Sequence, residues 1–196
     1  MPGRRLFVLV VPLALALGLL NPAWAGEPTD QLRSEIDRLY RVLTQSPASR
    51  SGEREAGEIM DRMFDWARMS EATLRGHWRQ RTPSERGEFT RLFTELFQRA
   101  YVSRINVVDA SKFRYLGDTI DGNRAVVKTQ VFTNRGSAIG VDYAVRLADN
   151  GRWRVEDVLV ERVSLVENYR TQFDTFIARS SYETLVTRLR GAARVE

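Results

Sequence analysis

Apolar residues recur along this chain at helical spacing, then at alternate positions, then at helical spacing again. Leu32, Ile36, Leu39, Tyr40 and Leu43 follow the period of about 3.6 residues of an amphipathic helix and predict one from about Thr29 to Thr44. A polar linker, Gln45 to Gly52, separates it from a second apolar face of Ala56, Ile59, Met60, Met63, Phe64 and Ala67. Ser70 is placed to cap a short third helix ending near Gly76. The sharpest start signal is Thr82-Pro83-Ser84-Glu85. Thr82 caps, Pro83 suits the first helical position, and Glu85 completes a capping box. Behind it Phe89, Leu92, Phe93, Leu96, Phe97, Ala100, Tyr101 and Ile105 form one wide stripe. Such a stripe is plain core more often than ligand wall.

After Asp109 the apolar period becomes two. The turn signals Asp121-Gly122, Asn134-Arg135-Gly136 and Asn150-Gly151 divide the region into hairpin-linked strands. Four are predicted, near Lys112–Thr119, Arg124–Thr133, Ser137–Ala148 and Trp153–Val163. In the third, Ile139, Val141, Tyr143, Val145 and Leu147 share one face, while Gly140, Asp142, Ala144 and Arg146 share the other. Ala125, Val127, Thr129 and Val131 of the second belong to the same covered face, and Lys128 and Gln130 face water. One face is therefore buried and one is wet, as in an antiparallel sheet covered on one side by helices. Asp157 breaks the alternation set by Trp153 and Val155. A bulge there returns Val158 and Val160 to the covered face. The alternative is a buried aspartate paired with Arg146 or Arg170. From Asn168 onward Tyr169, Phe173, Phe176 and Ile177 have helical spacing, and Leu185, Val186 and Leu189 belong to a final helix. Helices, then a four-stranded twisted antiparallel sheet, then helices read as one α+β domain.

The N-terminus changes this picture. Arg4 and Arg5 precede an apolar run, Leu6 to Leu20, and Ala23-Trp24-Ala25 fits the small-x-small cleavage rule. The run is about 15 residues long where a membrane span needs about 20, so residues 1–25 are expected to be a cleaved secretory signal peptide. An uncleaved anchor is the alternative. Residues 26–196 form the single predicted domain, and its 171 residues suffice for one core.

The chain has no cysteine, which excludes a disulfide scaffold and a thiol enzyme. Without the two signal arginines, 28 basic residues face 25 acidic ones. Lys112 and Lys128 are the only lysines. In an exported protein this mild excess points away from nucleic acid and towards an anionic membrane surface or an acidic partner. An ordinary solvated surface accounts for the same balance. His77 is the only histidine, so no imidazole–thiol set exists for zinc. No serine sits in a Gly-x-Ser-x-Gly elbow, and no glycine-rich phosphate loop is present. Glu156, Asp157 and Glu161 read as solvated charges and a structural pair, and His77, beside Trp78 and Arg79, reads as structural. No catalytic residue, metal or cofactor is expected.

Three stretches carry a resemblance: His77-Trp78-Arg79 with Thr82-Pro83, Trp153 to Val158, and Val163-Ser164-Leu165-Val166-Glu167-Asn168-Tyr169-Arg170-Thr171-Gln172-Phe173. Together, in this order, they resemble the MlaC family of periplasmic phospholipid-binding proteins, the toluene-tolerance auxiliary components of ABC transporters. The resemblance spans nearly the whole mature chain. It departs from the family pattern at Arg162, where a glycine is usual before Val-Ser-Leu, and at Leu74-Arg75-Gly76, where Leu-Gly is usual. It implies a curved sheet and helices enclosing an apolar cavity for acyl chains. The lipid-binding residues it singles out are Phe97, Tyr101, Ile105, Val127, Val131, Ile139, Val141, Tyr143, Val145, Val158, Tyr169 and Phe173. Asp157, Asn168 and Arg170 are then a polar junction that holds the sheet end to the next helix or meets a headgroup. The implied partners are phospholipid, an outer-membrane lipoprotein complex, and the substrate-binding ring of an inner-membrane ABC transporter. A related branch accompanies hopanoid synthesis genes, so a polycyclic lipid is a second implied cargo.

Overall fold

The computed structural model describes residues 28–45, 49–105, 108–133 and 136–194, with the side chains of 101–112, 193 and 194 outside the description. The predicted signal segment and the Asn134-Arg135 turn lie outside it as well. The described elements are α1 (Pro28–Gln45), α2 (Arg50–Met63), α3 (Trp66–Leu74), α4 (Gly76–Arg79), α5 (Pro83–Ile105), β1 (Val108–Asp121), β2 (Arg124–Thr133), β3 (Ala138–Leu147), β4 (Trp153–Val160), β5 (Val163–Ser164), α6 (Leu165–Arg179) and α7 (Tyr182–Arg194). The strands form one antiparallel meander in the order β1-β2-β3-β4-β5.

The capping box forms as the sequence predicts. The Thr82 N–H donates to Glu85 Oε2 at 2.7 Å, and the Glu85 N–H donates to Thr82 Oγ1 at 3.3 Å. The Thr82 N–H and the Thr82 hydroxyl, both donating to Glu85 Oε2, hold the Glu85 carboxyl below the usual carboxylate range. Helix α3 differs from expectation. Its cap is Asp65, whose Oδ1 accepts the Arg68 N–H at 3.1 Å, and Ser70 is buried inside the helix. The reason is upstream. Phe64 leaves α2 to bridge Val155, and the Asp65 N–H donates to the Val155 carbonyl at 2.8 Å.

The sheet has five strands where four are predicted. The fourth stops at Val160, because Glu161 and Arg162 take left-handed conformations (φ 49° and 67°) and turn Val163 back to pair with Val160. The bulge is present. The β3–β4 register shifts between Ala144 and Val145, which pair with Asp157 and Val155. The free edge of β4 is covered along its length, as sheet edges must be. Gln31 exchanges two amide bonds with the Trp153 backbone, at 2.7 and 3.0 Å. Asp65 bonds Val155, and β5 pairs with Leu159 and Val160.

Candidate functional site

Antiparallel register sorts the inner face of the sheet into rows. Ala125, Val145 and Val155 form one row, and Val127, Tyr143 and Val158 the next. All six are buried, between 0% and 4% exposed. They pack with Leu32, Ile36 and Leu39 of α1 and with Met60, Met63 and Phe64 in one continuous core. The third row is Thr129, Val141 and Val160, and the fourth is Val131 and Ile139. Here burial loosens. Thr129 is buried, its hydroxyl donating to the Val141 carbonyl, but Val141, Val160 and Ile139 are only half-buried. Val131 is buried, yet neither it nor Ile139 belongs to the main core.

Aromatic rings form the opposite wall. Phe97 stands 5.5 Å from Trp66 and 5.4 Å from Phe64, ring to ring. Tyr169 meets Phe93 edge-on at 5.5 Å and lies 6.4 Å from Phe97 and 5.7 Å from Phe173. The chain of rings continues through Phe89 to Tyr182 of α7. There Arg81 lies over the Tyr182 ring at 4.4 Å, and burial pushes the Tyr182 phenol up. Phe97, Tyr169 and Phe173 therefore belong to a helix–helix aromatic cluster. Tyr101 and Ile105 continue α5, with their side chains outside the described residues.

The helices close directly onto the tight rows. A small pocket between α1 and the sheet, lined by Leu32, Met63, Val145, Trp153 and Val155, measures ≈ 10 Å³, about the space of a single water. A wider pocket of ≈ 290 Å³ opens on the outer face, beside Leu116, Lys128, Asp142 and Arg162.

The polar junction is built around Asp157. Its Oδ1 accepts the Val158 N–H at 2.8 Å and the Val166 N–H at 3.1 Å, and its Oδ2 accepts the Ser164 hydroxyl. Ser164 in turn caps α6, accepting the Glu167 N–H at 2.9 Å. The carboxylate thus fastens the bulge in β4 to the first turn of α6. Among the described residues no arginine takes part. Arg146 pairs with Glu156 at 2.8 Å, and Arg170 pairs with Glu167 one turn back. Asn168 is exposed and accepts from the Gln172 amide at 3.2 Å. Asn168 and Arg170 therefore make their contacts within α6. Helix α6 starts at Leu165, ahead of both. Ser164-x-x-Glu167 has the spacing of a helix start, a signal upstream of the predicted junction at Asn168.

His77 Nε2 lies 3.2 Å from Asp174 Oδ1 and links α4 to α6. Among the described residues no group of His, Cys, Asp and Glu could hold a metal ion, and no helix is long and apolar enough to cross a membrane.

Among solved structures the fold is similar to a phospholipid-binding protein from Ralstonia solanacearum, determined in complex with a phospholipid. The identity is 23%, the TM-score is 0.71, and the match covers 86% of this chain and 97% of that one. No curated protein matches the chain. The MlaC protein family matches residues 33–191, from α1 to near the end of α7; across that span the chain belongs to the MlaC family.

Proposed function

We propose that this protein is a periplasmic phospholipid carrier, exported by a signal peptide cleaved after Ala25. It takes acyl chains between the sheet's inner face and helices α5 and α6. Its route runs between an outer-membrane lipoprotein complex and the substrate-binding ring of an inner-membrane ABC transporter, which maintains the lipid asymmetry of the outer membrane. The observation that carries the reading is the graded inner face, in which two apolar rows are sealed and the next two hold the half-buried Val141, Val160 and Ile139. The likeness to a protein seen with phospholipid supports the same reading.

The energetics suit exchange. Each methylene moved from water to an apolar wall gains about 0.8 kcal/mol, so a wall as apolar as the bilayer makes transfer nearly neutral. Drug-sized pockets hold about 300–1,000 Å³, and a diacyl lipid needs the upper end or more. The ≈ 10 Å³ pocket beside the tight rows cannot accept a chain. Loading parts α5 and α6 from the loose rows while the tight rows keep the fold. The continuous core beneath the tight rows favours a second reading, a protein-only adaptor with a solid core.

Lipid extracted from protein purified from the periplasm decides between them. Phospholipid in stoichiometric amount is expected. A polycyclic lipid would change the cargo, and lipid-free protein would favour the adaptor. N-terminal sequencing of the same sample should begin at Gly26. Full-length chain held in the inner membrane would contradict export.

A further inference from the structure

The turn between α3 and α5 carries charge that neither the fold nor the cargo uses. Residues 75–86 hold four arginines against one glutamate. Arg81 is neutralised by Glu85 and Glu183, at 3.5 and 3.6 Å. Arg86 is held in place, its Nε donating to the Trp78 carbonyl at 3.1 Å and its guanidinium lying over the Trp78 ring. His77 is occupied by Asp174. Arg75 and Arg79 remain exposed, and among the described residues neither makes an ion pair.

Arg75 also sits where a side chain is unwelcome. Its backbone is at φ 44°, ψ −108°, a region that glycine enters freely and other residues enter with strain. Its side chain is exposed and returns no packing for that strain. What it adds to the turn is a cation.

We propose that this turn docks the protein on an anionic bilayer surface, through lipid phosphates held by Arg75 and Arg79 beside Trp78 and Arg86. Guanidinium groups match phosphate geometry with paired hydrogen bonds. The turn offers charge and no exposed large apolar residue: among the described residues Leu116, Ile120 and Val163 are the exposed large apolar side chains, and all three lie in the sheet. The docking rests on the charge of the turn and is independent of the carrier reading.

The test uses vesicle flotation of protein purified in its natively processed form. Vesicles are phosphatidylglycerol mixed with phosphatidylethanolamine, or phosphatidylcholine alone. Wild type should float with the anionic vesicles, release at high salt, and ignore the neutral ones. Each arginine near an anionic surface contributes about 1 kcal/mol, so Arg75→Gly with Arg79→Ala should weaken partitioning about 30-fold. Arg75→Gly relieves strain, so a rise in Tm for that single variant excludes unfolding as the cause. Co-purified lipid should be unchanged in the double variant. The proposal is overturned if wild type ignores anionic vesicles, if the double variant floats like wild type, if it floats less only because cargo is lost, or if the turn captures an acidic protein instead. Wild-type protein that floats yet carries no lipid would leave the docking standing and remove the carrier reading.

Discussion

Two halves of one sheet face behave differently. The rows of Ala125, Val145, Val155 and of Val127, Tyr143, Val158 are sealed under α1, α2 and Phe64. The rows of Thr129, Val141, Val160 and of Val131, Ile139 use the same residue types but are left partly open. Residue type does not separate them. What differs is cover: the sealed rows have helices anchored across them by Gln31 and Asp65, whereas beside the open rows α6 is fastened to the sheet edge through Asp157. A fold that must admit a large apolar ligand and stay folded without it can divide the work in this way.

The hardest test of this contrast lies in the sealed half. Val127 is 0% exposed, so Val127→Asp buries a carboxylate with no partner, at a cost on the order of 5 kcal/mol. That equals much of a domain's stability. Circular dichroism should find no folded protein, and a folded variant would mean that the sealed half is not the foundation. The next effect falls on the tie. Asp157→Ala orphans the Val158 and Val166 N–H groups and frees the Ser164 hydroxyl, so it should cost about 2–3 kcal/mol in chemical denaturation. Hydrogen exchange should rise first in the opening turn of α6. Uniform exchange across the protein would show that Asp157 supports the whole fold instead of one hinge. The smallest effect is a gain. Arg162→Gly removes left-handed strain of about 1–2 kcal/mol but loosens the unfolded chain by about 0.5–1 kcal/mol. A net gain of roughly 0.5 kcal/mol should raise Tm by about 1–2 °C. A lower Tm would mean that the Arg162 side chain holds the β4–β5 turn.

Much of this was legible in the sequence. Alternation placed the inner-face residues of β2 and β3 correctly, because one wet face forces a period of two, and Asp157 announced its bulge in β4 by breaking that period. The β4–β5 turn was hidden because Glu161-Arg162 lacks the Asn-Gly chemistry that marks such turns. The strain at Arg75 and Arg162 was likewise hidden, although both stretches stood out as departures in the resemblance, because nothing in an arginine marks a left-handed backbone. Asn168 and Arg170 were read as the tie because the period visibly changes there. The helix in fact begins at Ser164-Leu165, so the bonding fell to Asp157 and Ser164. The half-burial of Ile139, Val141 and Val160 could not be read at all, since they look in sequence like any other core valines and isoleucines.

The central claim is that the loose rows receive lipid while the tight rows carry the fold. Native mass spectrometry of wild-type and Val141→Asp protein, purified side by side from the periplasm, tests it most directly. The account predicts a phospholipid adduct on wild type and a folded Val141→Asp protein of bare mass, because water can reach the new carboxylate once the chains have gone. A Val141→Asp protein that keeps its full lipid adduct, or a wild type that carries none, would contradict it.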